Sequence, residues 1–249
     1  EPVTNQWMYH AVADTVLAHS LLRAQPGIDT NKVGMMGISW GGVIVSTVMG
    51  LDDRFSFAIP VYGCGRLFDL GNQYGRALGN NDVYKTIWDP MLRMDQATMP
   101  AQWFSWPQEN NFSLDSQAAT YHAGAGPRMV TLIPGMGHGH GAAWNRQDSY
   151  AFADSITSNG APWCIQQSLQ RSNNVATVTF SSTRPLDEAK LISTTGTGHT
   201  GSLTWNEAPA TLTDNGGGSY TVTATLPADT TGWFVNVLDG VLVASSDYQ

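Results

Sequence analysis

The chain has 249 residues and 26.8 kDa, with 12 Lys and Arg against 20 Asp and Glu, a net charge of −8 and a pI near 5.0. Charged residues are 13% of the chain and hydrophobic residues 42%, which excludes a disordered polymer; that would need high charge and little to bury. The acidic balance also argues against nucleic acid as a partner, which a basic face would have to bind, and no apolar run approaches the ~20 residues of a membrane span.

From about Gln6 to Ala24 the spacing of Trp7, Ala11, Val12, Val16, Leu17, Leu21 and Leu22 predicts an amphipathic helix, stopped by Pro26-Gly27. His10 and His19 fall on it with no partner identifiable. Lys32 to Ile38 (KVGMMGI) is a short apolar run that suits a buried parallel strand, and Gly41 to Gly50 reads as a helix of small residues. Asp52, Asp53 and Arg54 read as a surface turn with an ion pair. Phe55 to Val61 is a second strand. Cys64 to Thr98, rich in Gly, Asn and Asp, reads as an insertion with weak helical stretches. Ala101 to Trp106 is a third strand with Trp103 in the core, Leu114 to Ala123 a helix, Arg128 to Ile133 a fourth strand and Asn145 to Thr157 a helix. Strands alternating with helices imply right-handed crossovers and a parallel sheet.

The pattern changes near Pro162. Tyr220, Val222, Ala224 and Leu226 alternate strictly with polar neighbours or Pro, and Asp239-Gly240 between two apolar runs signals a tight hairpin. We therefore expect an α/β region over 1–170 followed by a small immunoglobulin-like β-sandwich over 175–249. Cys64 and Cys164 either pair or remain two small buried thiols.

One constellation carries chemistry. Gly37-Ile38-Ser39-Trp40-Gly41 follows an apolar strand and opens a helix, the context of a nucleophile elbow. Glycines permit the tight turn, the serine hydroxyl stands clear of the sheet, and the backbone N–H of Trp40 faces the position of a developing oxyanion. A serine hydroxyl needs a general base. Met136-Gly137-His138-Gly139-His140 follows the fourth strand, with His138 as first candidate and His140 as second. Two histidines at this spacing without a third ligand do not make a metal site, and no cofactor motif is present. The base needs a carboxylate to fix its tautomer. Glu109 lies in the loop after the third strand; Asp115, the other acid before His138, reads as a helix N-cap. The order Ser39, Glu109, His138 is that of one hydrolase class. Tyr62, Trp106 and Trp144 lie nearby in sequence and are candidates to contact a substrate. Cys64 has a poorer setting for a nucleophile than Ser39.

GISWGG, LDDRFSFAIPVYGCG and PGMGHGH resemble the acetylxylan-esterase-like branch of the α/β-hydrolases, which borders the dienelactone-hydrolase and prolyl-oligopeptidase-like groups. The resemblance implies that 65–98 is lid-like. It also puts Glu109 where the family carries Asp, a departure that a Glu can serve. It implies a serine esterase acting on small-molecule or carbohydrate esters, short-chain acyl or aryl, with no cofactor. A prolyl-oligopeptidase-like peptidase and a non-catalytic glycan- or protein-binding remnant are the alternatives. Low charge with nine Trp fits a secreted or periplasmic protein from which any signal has been removed. Members of this fold carry several strands before the nucleophile strand, and a loop there gives the second oxyanion N–H. Here about 31 residues precede it. The nucleophile strand is then expected at a sheet edge, covered by a missing N-terminal segment or by a homo-oligomer partner.

Overall fold

The computed structural model describes residues 2–249. The first helix, α1 (Trp7–Arg23), leads into β1 (Met35–Ile38), α2 (Trp40–Met49) and β2 (Ala58–Val61). After it come α3 (Gln73–Leu78), β3 (Ala101–Ser105), α4 (Leu114–Ala123), β4 (Arg128–Leu132), α5 (His140–Trp144) and α6 (Gln147–Asn159). The remainder is all strand: β5 (Cys164–Ser172), β6 (Val175–Ser182), β7 (Glu188–Thr194), β8 (Asn206–Pro209), β9 (Thr211–Gly216), β10 (Ser219–Thr225), β11 (Gly232–Asp239) and β12 (Leu242–Ser245).

The principal sheet has the order β1-β2-β3-β4-β12-β11-β7-β8, and a second sheet has the order β5-β6-β10-β9. The first four strands are mutually parallel, as expected from strands alternating with helices. The second half is antiparallel, and β1 lies at the outer edge. The C-terminal strands do form two facing antiparallel layers. They are not, however, a separate unit starting at residue 175. The second sheet begins at Cys164, and β12, β11, β7 and β8 extend the sheet that carries the nucleophile strand. The seam explains this. Only Ser245 and Val130 are in register between β12 and β4, but side chains stitch the rest. Ser245 Oγ accepts from the Leu132 N–H at 2.8 Å, Asn236 Nδ2 donates to the Leu132 carbonyl at 2.9 Å, and Arg128 holds both oxygens of the buried Asp247.

Alternation places Tyr220, Val222 and Ala224 inward opposite Phe180, Val178 and Ala176, where they share a core with Leu191, Trp233, Val235 and Val237. The turn at Asp239-Gly240 is the expected tight one, with Gly240 at φ +57°.

The buried stripe of α1 differs from the expected one. Met8, Val12 and His19 face inward, whereas Trp7, Leu17, Leu21 and Leu22 are exposed. His19 is drawn in because its Nδ1 meets the Asp52 carboxylate at 3.0 Å and its ring stacks on Phe55 at 3.6 Å. Asp52 is accordingly buried rather than part of a surface turn, and Arg54 pairs with it as expected. The N-cap of α4 is Ser113, not Asp115, which sits in its first turn. The two cysteines are unpaired, buried thiols. The insertion holds α3, single 3-10 turns and a π-helical turn at Tyr84–Trp88.

Candidate active site

The turn between β1 and α2 is tight because glycine leaves no room to spare. A Cβ on Gly37 would overlap the Gly41 carbonyl, and one on Gly42 would lie 2.5 Å from the Val61 oxygen. Ser39 takes the residual strain, with φ +62° and ψ −122°, a conformation that an L-residue rarely adopts. Its own backbone is anchored, the N–H donating to Val61 O at 3.0 Å and the carbonyl accepting from Val43 N at 3.1 Å. Trp40 opens α2, so its N–H has no acceptor within the helix and lies at the positive end of the helix dipole.

His138 Nε2 is 3.0 Å from Ser39 Oγ, and His138 Nδ1 is 2.8 Å from Glu109 Oε2. The structure thus brings together the three residues singled out as nucleophile, base and acid, from the loops after β1, β4 and β3. Glu109 is fully buried, while the His138 side chain keeps 28% of its surface open. Burial pushes the Glu109 carboxyl up, but hydrogen bonds from His138, from the Trp106 indole at 2.7 Å and from the Asn111 N–H at 2.8 Å outweigh it. The group is held below its ordinary value and stays ionised. An ionised acceptor keeps the His138 proton on Nδ1 and leaves Nε2 free to accept the serine proton.

The imidazole is also held by rings. Tyr62 stacks on it at 4.5 Å and 25°, and Phe112 lies 5.9 Å away on a nearly parallel plane. Tyr62 sits at φ +62° and its hydroxyl donates to the Gly137 carbonyl at 2.8 Å, which fixes the histidine loop. Burial raises its phenol to about 12. Tyr62 is thus closed off behind His138, where no substrate reaches it, which corrects its reading as a substrate contact.

Trp106, another substrate candidate, spends its one donor on Glu109. Trp144 is exposed on α5 and pairs edge-on with Tyr150 of α6, with no hydrogen bond to the three residues. His140 is exposed at the start of α5 and likewise bonds neither Ser39 nor Glu109 among the described residues. Trp40 meets Trp7, Tyr74 and Tyr84 edge-on and, with Trp88, lines a cleft of about 740 Å³. Tyr74 comes from α3, within 5.3 Å of Phe112, so the insertion does flank the site. Phe112 is not among the site residues expected from the sequence; its signal is an aromatic three residues after the acid.

The profile of the prolyl oligopeptidase family matches residues 1–77, a stretch that includes the serine turn. No curated protein matches the chain. Among solved structures, acetyl xylan esterase 1 from Thermoanaerobacterium sp. is similar, with 16% identity, a TM-score of 0.52 and coverage of 64% of this chain and 56% of that one. An acetyl xylan esterase from Paenibacillus sp. R4 gives 20%, 0.50, 58% and 51% in the same order. A puromycin-hydrolyzing peptidase of Mycobacterium tuberculosis gives 16%, 0.52, 63% and 26%. The matched region is about half the length of the esterases and a quarter of that of the peptidase. At these identities the likeness establishes the α/β-hydrolase fold.

Proposed function

Proceeding from the α/β-hydrolase fold that this chain shares with those esterases and peptidases, we propose that it is a serine hydrolase that cleaves carboxylic esters. The observation that carries the reading is the unbroken hydrogen-bonded path from Ser39 Oγ through both nitrogens of His138 to Glu109.

Ser39 Oγ attacks the ester carbonyl and its proton passes to His138 Nε2. The carbonyl oxygen becomes an anion and is met by the Trp40 N–H. Glu109 stabilises the imidazolium that forms. The tetrahedral intermediate collapses, the C–O bond to the alcohol breaks, and the alcohol leaves with the proton from Nε2. Water then gives its proton to Nε2 and attacks the acyl-enzyme, releasing the acid and restoring Ser39.

The esterases among the similar structures favour short acyl groups on carbohydrate as the substrate class. The family match across the serine turn favours a peptidase as the second reading. Turnover of p-nitrophenyl acetate against an aminoacyl p-nitroanilide separates the two. Ser39→Ala is expected to abolish ester turnover and labelling by a fluorophosphonate while the chain stays folded. Persistent turnover in that variant sinks the assignment, and absence of labelling in the wild type supports a non-catalytic role. The outer edge of β1 supports the accompanying expectation that another segment or a second copy covers this side.

A further inference from the structure

The Glu109 loop is gripped by a turn from the far end of the chain. The turn is His199–Ser202, between β7 and β8, in the C-terminal strand region. His199 Nε2 donates to the Asn110 carbonyl at 2.9 Å. Ser202 Oγ donates to Asn110 Oδ1 at 3.3 Å. Thr200 Oγ1, itself buried, accepts from the Leu114 N–H at 2.9 Å and so ties down the first turn of α4. Gly201 presses directly on the acid's own backbone, where a Cβ would overlap the Glu109 carbonyl and lie 2.7 Å from Asn110 Cα. The turn is anchored in its turn by the Trp205 indole, which donates to the Thr200 carbonyl at 3.1 Å and packs on Phe234 of β11.

The opposite side of the loop is held by the insertion. Asn72 Nδ2 donates to the carbonyls of Asn110 at 2.8 Å and Asn111 at 3.2 Å, and Gln73 Nε2 to Asn111 Oδ1 at 2.9 Å. Asn111 in turn supplies the N–H that Glu109 Oε1 accepts. Movement of Asn110 and Asn111 therefore moves the carboxylate.

We propose that His199 and Gly201 are positioning residues for Glu109, so that the C-terminal strand region completes the active site instead of serving as an appended binding module. This rests on the reading of Ser39, His138 and Glu109 as a hydrolytic unit. The physical argument is one of tolerance. A hydrogen bond weakens as its distance and angle leave a narrow range, and Glu109 sits on an irregular loop that has no ladder of its own to hold it. The C-terminal turn supplies the missing support. Asp115 of α4 and Arg66 and Asp69 of the insertion are the charged groups that share the small cleft with His199.

The test uses the full chain with His199→Ala, His199→Gln and Gly201→Ala. His199 is half-exposed, so its variants keep the melting temperature of the wild type. His199→Ala is expected to lower kcat on p-nitrophenyl acetate by about tenfold with KM within about twofold. A Glu109 that drifts lengthens and bends its hydrogen bond to His138 Nδ1. The low-field NMR resonance of that Nδ1 proton therefore moves upfield and broadens. His199→Gln keeps a side-chain donor and recovers most of both, while Gly201→Ala reproduces or exceeds the His199→Ala defect. An unchanged His138 Nδ1–H resonance in His199→Ala and Gly201→Ala overturns the proposal. Because that resonance is read without substrate, it decides the matter even if the wild type shows no ester turnover, an outcome that would count against the proposed function alone.

Discussion

Trp106 and His138 share the same carboxylate oxygen. The indole N–H of Trp106 lies 2.7 Å from Glu109 Oε2 and Nδ1 of His138 lies 2.8 Å from it, while Oε1 is left to the Asn111 N–H. The carboxylate is thus pinned at three points in a site that is dry on Glu109's side and open on His138's. Trp106→Phe keeps the ring and removes one point. We expect kcat on a p-nitrophenyl ester to fall roughly tenfold, since a hydrogen bond to a charged group contributes about 1.5–3 kcal/mol and only part of it is felt in the transition state. KM should hold. A rise in KM alone, with kcat intact, would instead make Trp106 a substrate contact.

Glu109→Gln and Asp115→Asn, measured side by side, separate the two acids. The amide cannot hold the proton on Nδ1, and losses of about 10³–10⁴ in kcat follow such a change in hydrolytic triads. Asp115 points its chemistry elsewhere, in the first turn of α4, where burial raises its carboxyl. Its amide variant should stay within about twofold of the wild type. The reverse ranking would remove Glu109 from the mechanism.

Cys64 is inert by its surroundings. It has no exposed surface, and burial pushes its thiol well above its ordinary value, with the negative charges of Asp89 and Glu109 adding to the effect. Iodoacetamide should leave the native chain unlabelled and active, with both thiols reacting only after unfolding. Cys64→Ala should retain ester turnover at a lowered melting temperature, because a fully buried side chain is trimmed.

Asp52 gives the stability a pH signature. The Arg54 guanidinium, opposed by burial and helped by His19, holds the Asp52 carboxyl far below the carboxylate range. A value depressed in the folded state contributes stability that is complete above the unfolded value of about 4 and is lost as pH falls through the folded one. The melting-temperature gap between wild type and Asp52→Asn should therefore be full at neutral pH and begin to close below about pH 4. A gap that is constant across that range would show that the pair contributes through shape alone.

Much of the site was legible because its parts are local. The Gly-x-Ser-x-Gly turn states its own geometry, and the strand-then-loop rhythm that precedes His138 and Glu109 places both at the same end of parallel strands. What the sequence concealed is non-local. His19 looked like a stray polar residue on α1 because its partner, Asp52, is 33 positions away. The joining of β12 and β11 to the principal sheet did leave a trace. Phe234 to Val237 and Leu242 to Ser245 are buried on both faces, unlike β10, where burial alternates. Unbroken burial belongs to a strand covered on two sides. The grip of His199 on Asn110 spans 89 positions and left no trace in the pattern.

The order of the strands has a cost in the cell. β4 gains its second neighbour only when Ser245, 113 positions beyond Leu132, has been made. At about 5–20 residues per second a ribosome needs roughly 6–23 s to bridge that gap. Throughout that interval the nascent chain already holds its serine, carboxylate and imidazole, yet presents an unpaired strand where β12 will dock. An unpaired edge of this kind is a template for pairing with another chain, so late translation is the stage at which half-made copies are most open to association.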